Sequence, residues 1–226
     1  MLNFLSCVSD STTSEFFSQP CCLEDNPLVS DPIRSRIKVK QGLALSTSVS
    51  HNKSIILLFE EAIRLDPTNI EAFFNLGVVL QSENRLTEAL SAYTRVLFLD
   101  PYHVPSLYNA GIINFDMKSY QISLNYFKQI IDFKSNVSDL MLLIDTYVNI
   151  GIVSLEMNDD TNQAIDAFKQ ALCLDPHCCA ALINLANLYI TTNTDDSAEI
   201  GKLYYRKVLE IEPSNEEAIL FLSSVQ

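Results

Sequence analysis

A set of small and aromatic residues recurs along the chain at a nearly constant interval. Gly77 is followed by Ala89 and Tyr93, and 34 residues after Gly77 comes Gly111, which has a small residue and an aromatic at the same distances. A fixed period of this length predicts that one supersecondary unit is repeated and stacked, because a single unit cannot bury its own apolar face.

Each residue type in this pattern has a physical role in a pair of antiparallel helices. A small residue on the first helix lets the second helix approach closely, and the aromatic on the second helix packs at that crossing. A proline cannot continue a helix and therefore ends the unit. The copies in chain order are Gly42 with Phe59 and Pro67; Gly77 with Ala89, Tyr93 and Pro101; Gly111 with Ser123 and Phe127; Gly151 with Ala164, Phe168 and Pro176; and Ala186 with Tyr205 and Pro213.

These residues resemble the pattern of the tetratricopeptide-repeat family. The resemblance implies an all-α, right-handed solenoid of about five helix-turn-helix repeats and a C-terminal capping helix. We expect the solenoid at 31–226, with repeats at about 33–68, 70–103, 104–137, 144–178 and 179–213 and the capping helix at 214–226. Residues 1–30 are polar and lack a helical period, which predicts a flexible tail.

The repeat spacing changes in the middle of the predicted solenoid. Gly111 and Gly151 are 40 residues apart, six more than one period. The additional residues, about 138–143, have a helical pattern and predict a longer first helix in the following repeat.

An asparagine stands two residues before the Gly or Ala position in four consecutive repeats, at Asn75, Asn109, Asn149 and Asn184. Because stacked repeats stay in register, we expect the four side chains to form one line on the concave surface. An asparagine side chain both donates and accepts hydrogen bonds, so such a line can pair with the main chain of an extended peptide.

This column resembles the asparagine ladder of the repeat region of O-linked N-acetylglucosamine transferase, and similar asparagines in the peroxisomal targeting-signal receptor. The resemblance implies contact with the main chain of a bound peptide. In the alternative interpretation, which stays open at this point, each asparagine only forms hydrogen bonds within its own repeat.

The rest of the predicted groove is mostly apolar. Such a lining suits an apolar extended segment or an amphipathic helix better than a charged tail, although some of these side chains are expected to pack between repeats instead. The expected lining residues are Phe74, Val78, Tyr108, Ile112, Phe115, Val148, Ile152, Leu155, Ile183, Asn187 and Ile190.

A carboxylate clamp of the kind found in co-chaperones of this repeat class is not expected. That clamp uses Lys, Asn, Asn, Lys and Arg, whereas the corresponding positions here are Phe74, Val78, Asn109, Asp145 and Asn149. Only Asn109 fits, and Asp145 has the wrong charge.

The composition limits the classes of partner. A formal net charge of −13 disfavours nucleic acids and anionic membrane surfaces, which attract clustered Lys and Arg. No apolar stretch is long enough to span a membrane, and residues 1–8 are too short for a signal-peptide core. Six cysteines without CxxC spacing predict reduced thiols. We therefore expect a cytoplasmic or nuclear protein, with a reducing organelle as the alternative.

Neither catalysis nor a cofactor is expected. The three histidines, at positions 51, 103 and 177, lack a nucleophile at a motif spacing. Cys173, His177, Cys178 and Cys179 lack paired metal-ligand spacing, so no metal site is expected.

Three functions remain open from the sequence. The first is a peptide-binding adaptor that uses the concave asparagines. The second is a structural subunit of a larger assembly, which uses the convex face and the edges. The third is the targeting arm of an enzyme that acts in trans. The protein itself is not expected to be an enzyme.

Overall fold

The computed structural model describes residues 31–46, 52–133, 137, 139–157, 161–191 and 195–224, and the predicted tail at 1–30 lies outside these ranges. All regular secondary structure in them is α-helical, which confirms the all-α prediction. The helices are α1 Asp31–Ser46, α2 Asn52–Leu65, α3 Ile70–Ser82, α4 Leu86–Leu99, α5 Val104–Asp116, α6 Tyr120–Asp132, α7 Leu140–Glu156, α8 Thr161–Leu174, α9 Cys179–Thr191, α10 Asp195–Ile211 and α11 Glu216–Ser224.

The chain divides into two compact units, one ending at Ala72 and the other starting at Phe73. In the first unit, α1 packs against α2. Phe59 of α2 is buried and lies against Gly42 of α1, as the sequence pattern predicts. The hydroxyl of Ser35 donates to the carbonyl oxygen of Ala62 at 2.7 Å, so a buried polar group between the two helices is satisfied.

In the second unit, helices that are consecutive in the chain pack against each other. The pairs are α3 with α4, α5 with α6, α7 with α8, and α9 with α10, and α11 packs on α10. Each pair also contacts the next, through α4 with α5, α6 with α7 and α8 with α9. The core therefore continues from one pair to the next, as expected for stacked repeats.

The predicted contact between glycine and aromatic ring occurs in the first three pairs of this unit. A Cβ placed on Gly77 would lie 2.6 Å from Cε1 of Tyr93, which is closer than side chains approach one another. Gly111 has the same relation to Phe127, and Gly151 to Phe168. Glycine is therefore required at these positions by the close approach of the second helix.

The fourth pair reverses this arrangement. Its first helix has Ala186 at the small-residue position, and the glycine is Gly201 on α10. A Cβ on Gly201 would lie 2.6 Å from Cγ1 of Ile190 and 3.0 Å from the carbonyl oxygen of Ala186. The close approach is therefore retained, but the second helix provides the space for it.

Two helix bounds refine the predicted repeat limits. Helix α7 begins at Leu140, four residues before the predicted start of its repeat, because the carboxylate of Asp139 caps it and accepts from the amide of Leu142 at 3.2 Å. The longer first helix is therefore present. Helix α11 covers 216–224, within the segment predicted as a cap.

Candidate functional site

The side chains of the first helices of the second unit, α3 from Phe73, α5, α7 and α9, form a surface that we call the first-helix surface. Asn109 lies on this surface and donates its side-chain amide to the hydroxyl of Tyr93 on α4, with an Nδ2–Oη distance of 3.0 Å. The Tyr93 hydroxyl in turn donates to Oε1 of Gln81, also at 3.0 Å. Asn109 therefore bridges two consecutive helix pairs.

Asn149 makes a second bridge between pairs. Its amide nitrogen donates to the hydroxyl of Tyr108 on α5 at 3.1 Å. Burial raises the pKa of Tyr108, the hydrogen bond from Asn149 opposes that rise, and the negative charge of Asp145 adds to it. Asp145 is thus close enough to affect Tyr108, and it lies one helical turn before Asn149 on the same face of α7.

The other two asparagines of the predicted column have different surroundings. Asn184 donates to the carbonyl oxygen of Ala180 at 2.8 Å, within its own helix. Asn75 is partly buried on α3. The interpretation that each asparagine bonds only within its own repeat therefore fits Asn184, and it does not fit Asn109 or Asn149.

The bridging asparagines keep an acceptor for a ligand. Among the residues that the structure describes, the Oδ1 atoms of Asn109 and Asn149 have no hydrogen-bond partner. Within the same residues, no buried side-chain oxygen or nitrogen is left unsatisfied, so these two oxygens are accessible. Each can accept from a main-chain N–H of a bound segment, while the amide nitrogen holds the neighbouring repeat.

Most of the predicted groove residues are at least partly accessible. Val78 is 41% exposed, and Asn187 is exposed as well. The partly buried members are Phe74, Tyr108, Ile112, Phe115, Ile152, Leu155, Ile183 and Ile190. These side chains therefore pack against the core and keep part of their surface accessible.

Val148 is the exception and corrects the predicted lining. It is 8% exposed and belongs to the core cluster that contains Ile144 and Phe168. Its β-branched side chain packs between helices and leaves almost no area for a ligand.

The residue at the aromatic position of the second helices differs between repeats, and this difference is visible in the sequence. It is Tyr in α4 and α10 and Phe in α6 and α8. Where it is Tyr, its hydroxyl takes part in a network: Tyr93 with Asn109 and Gln81, and Tyr205 with Asn187 and Glu217. Burial raises the pKa of Tyr93 to about 12, so it stays protonated at neutral pH.

His103 acts as a helix cap. Its Nδ1 accepts from the backbone amide of Ser106 at 3.3 Å, and its ring lies 5.2 Å from the ring of Phe74. Burial lowers the pKa of His103, and the nearby Asp100 opposes this shift. A neutral ring keeps Nδ1 available as the acceptor that the cap requires.

Three of the six cysteines, Cys173, Cys178 and Cys179, lie in the part of the chain that the structure describes. Over the described residues, no group of three or more His, Cys, Asp or Glu side chains is placed to hold a metal ion. The pKa of the Cys179 thiol is raised to about 11, first by burial and then by Glu212, so it stays protonated at neutral pH. In the same residues, no helix is both long and apolar enough to cross a membrane.

A second feature lies on the outer side of α4. Phe98 is 74% exposed, and the guanidinium of Arg95 lies 5.0 Å from its ring centre and 5.9 Å from that of Phe73. A shallow depression here is lined by Thr87, Leu90, Ser91, Thr94, Arg95 and Phe98. This surface is separate from the asparagines.

Comparison with known proteins identifies the repeat. Residues 58–91 and residues 155–200 each match a model of the tetratricopeptide repeat. The chain is 28% identical over 133 residues to the human protein O-mannosyl-transferase TMTC3, which covers 58% of this chain and 14% of that protein. It is 27% identical over 139 residues to the peroxisomal targeting signal receptor of Saccharomyces cerevisiae, with 59% and 22% covered.

A longer match is found with human anaphase-promoting complex subunit 7. The identity is 26% over 220 residues, covering 96% of this chain and 36% of that protein. The chain thus spans well under half the length of each of these relatives.

Solved structures share the fold. MamA from Desulfovibrio magneticus matches with a TM-score of 0.69 at 18% identity, covering 80% of this chain and 97% of that one. YrrB, a tetratricopeptide-repeat protein with an unusual peptide-binding site, matches with a TM-score of 0.66 at 16% identity, covering 82% and 90%. At these identities the similarity shows the fold alone.

Proposed function

Since the chain belongs to the tetratricopeptide-repeat family, we propose that it is a non-catalytic adaptor that holds an apolar segment of a partner protein on its first-helix surface. Proteins with these repeats generally mediate protein–protein interactions. The asparagines that we propose to contact the bound segment are Asn75, Asn109, Asn149 and Asn184.

The observation that carries this proposal is the free acceptor on each bridging asparagine. The amide nitrogens of Asn109 and Asn149 are held by Tyr93 and Tyr108, so the orientation of both side chains is set before a partner arrives. A preorganised acceptor loses little conformational entropy on binding. The apolar area around it, from Tyr108, Ile112 and Ile152, supplies the hydrophobic contribution.

The test is to replace Asn109 and Asn149 by Ala together and to compare the proteins captured by the tagged full-length chain. Each main-chain hydrogen bond contributes about 0.5–1.5 kcal/mol, so the loss of two is expected to weaken binding roughly five- to hundredfold. Asn125→Ala is the matched control, because Asn125 is exposed on the second helix α6. Circular dichroism and thermal unfolding check the fold.

A second variant tests the surface without removing a hydrogen bond. Val78→Lys places a charge on an apolar residue that is 41% exposed, so it opposes an apolar partner and leaves the core intact. If both variants keep every partner while remaining folded, the adaptor proposal is wrong.

A structural subunit is the second candidate function. Phe98 of α4 is exposed and lies next to the guanidinium of Arg95, and exposed aromatic residues are common anchors in interfaces. The similarity to anaphase-promoting complex subunit 7 extends over nearly the whole chain, which supports the same candidate. Under this function, Phe98→Ser releases the partners that Asn109→Ala and Asn149→Ala leave bound.

The third possibility, a targeting arm of an enzyme, has less support. The match to a protein O-mannosyl-transferase covers 14% of that protein, so it stays a prediction.

A further inference from the structure

The charges of the second unit are separated between its first and second helices. From Phe73 onward, the first helices α3, α5, α7 and α9 contain three acidic residues and no Lys or Arg. The acidic residues are Asp116, Asp145 and Glu156. The second helices contain six basic residues: Arg95, Lys128, Lys169, Lys202, Arg206 and Lys207. The first helices are therefore a one-signed, negative surface.

Two of these carboxylates lie on the same helix faces as the proposed binding residues. On α5, Tyr108, Ile112 and Asp116 follow one another at intervals of four residues and so share one face. On α7, Asp145 lies one turn from Asn149. Asp145 also acts on the pKa of Tyr108, which places it beside the bridge between Tyr108 and Asn149.

The side chains of Asp116 and Asp145 are both exposed. Within the described ranges, neither Asp116 nor Asp145 forms an ion pair. The third acid of the surface, Glu156, is already engaged, because it accepts from the hydroxyl of Tyr120. Asp116 and Asp145 are thus the carboxylates left for a partner.

We propose that the segment bound on the first-helix surface is cationic, with Lys or Arg side chains between its apolar residues that pair with Asp116 and Asp145. This inference rests on the proposed function, and it names the chemistry of the partner. The apolar faces of Tyr108, Ile112 and Ile152 take the apolar residues, and the two carboxylates take the cations. A peptide with acidic side chains meets uncompensated like charge and is rejected.

The net charge of the protein alone does not lead to this inference. An excess of acid distributed evenly attracts any cation to any surface, whereas here the second helices carry nearly balanced charge. Cationic residues of a partner on the second-helix side meet Lys and Arg as often as acids. The selectivity therefore depends on two particular carboxylates.

The experiment uses the full chain and three fluorescein-labelled peptides of about 12 residues, which reach about 40 Å when fully extended. Leu alternates with Lys in the first peptide, with Ser in the second and with Glu in the third. Fluorescence anisotropy gives the affinities at low and at high NaCl. We expect the Lys peptide to bind most tightly, the Ser peptide less tightly and the Glu peptide most weakly. The preference for the Lys peptide should weaken at high salt, because exposed charge pairs are screened.

The decisive comparison is between two charge-matched double variants. Asp116→Asn with Asp145→Asn is expected to weaken the Lys peptide about three- to tenfold and to leave the Ser peptide unchanged. The control is Asp132→Asn with Asp166→Asn, which removes two exposed acids from the second helices α6 and α8. Equal effects of the two double variants overturn the inference.

The failure of this inference is distinguishable from the failure of the proposed function. If Asn109→Ala with Asn149→Ala weakens the Ser peptide and the Asp variants change nothing, the binding site stands and its cationic selectivity is refuted. If the Asn variants bind every peptide as the wild type does, or if no peptide binds at all, the proposed function is wrong. The inference is then wrong as well, because it rests on that function.

Discussion

Asn149 of α7 donates its side-chain amide to the hydroxyl of Tyr108 of α5 at 3.1 Å, and so two first helices from consecutive pairs are joined directly. The second helix α6 lies between α5 and α7 in the chain and packs against both. The hydrogen bond therefore adds a polar connection to an apolar stack, on the surface that we propose for binding.

Removing this hydrogen bond is expected to lower stability in a way that is specific to the pair. We expect Tyr108→Phe and Asn149→Ala to show a coupling free energy of about 0.5–1.5 kcal/mol in a double-mutant cycle of urea unfolding. Asn125→Ala combined with Tyr108→Phe is the control, and it should show no coupling because the two residues do not share a hydrogen bond. Strict additivity for Asn149 would contradict the bridge.

Gly111→Ala is expected to destabilise the protein by about 1–3 kcal/mol, because the new Cβ overpacks the site. It would lie 2.6 Å from Cε1 and 2.8 Å from Cζ of Phe127, whose ring is fully buried. At an ordinary helix position the same change stabilises by roughly 0.5–1 kcal/mol, so the sign is diagnostic. Thermal unfolding measures the change in stability. The control is Gln129→Ala on the exposed face of α6, which should change stability by no more than about 0.5 kcal/mol.

The pH dependence of stability is expected to include a contribution from His103. Its pKa is lowered by burial, so in the folded protein it protonates at a lower pH than in the unfolded chain, where the pKa is about 6.5. Below that value the unfolded state binds more protons, and stability falls as the pH falls.

His103→Asn keeps a cap acceptor and removes this titration. The variant should lose less stability than the wild type between about pH 7.5 and pH 5.5, as measured by urea unfolding. His177→Asn, at an exposed position, should follow the wild type. If the two variants behave alike, burial of His103 does not contribute to acid sensitivity.

Alkaline sensitivity is expected to come in part from Tyr93. Burial raises its pKa to about 12, whereas an unfolded tyrosine titrates near 10. Between about pH 10 and pH 12 the unfolded state therefore binds fewer protons, and stability falls as the pH rises. Tyr93→Phe should lessen this fall in thermal unfolding. Tyr126→Phe is the control, because the Tyr126 hydroxyl has no hydrogen-bond partner among the described residues. If Tyr93→Phe and Tyr126→Phe lose the same stability at alkaline pH, the prediction is contradicted.

Much of the architecture could be read from the residues alone. The interval between Gly77 and Gly111 predicted the repeat, and the aromatic four residues after a small residue predicted which ring packs on which glycine. The contacts of Gly77 with Tyr93 and of Gly111 with Phe127 agree with this prediction. These contacts follow from local periodicity, because a helical pair brings residues of fixed spacing to one crossing.

The arrangement within the candidate site could not be read in the same way. Val148 has the residue type and the repeat position of a groove residue, yet it lies in the core. Its burial depends on how closely α7 packs against its neighbours. That distance is set by side chains from several helices, which a one-dimensional pattern does not contain.

The sequence by itself determined the repeat, its helical class and the recurrence of asparagine at one repeat position, because each depends on residue type and interval. Only the tertiary structure decided that Asn109 and Asn149 are held by Tyr93 and Tyr108 while Asn184 bonds within its own helix. It also placed Asp145 beside Tyr108. The physical reason is that a hydrogen bond or a charge interaction requires atoms to be within a few ångströms of each other. For residues on different repeats, that proximity arises only when the helices stack.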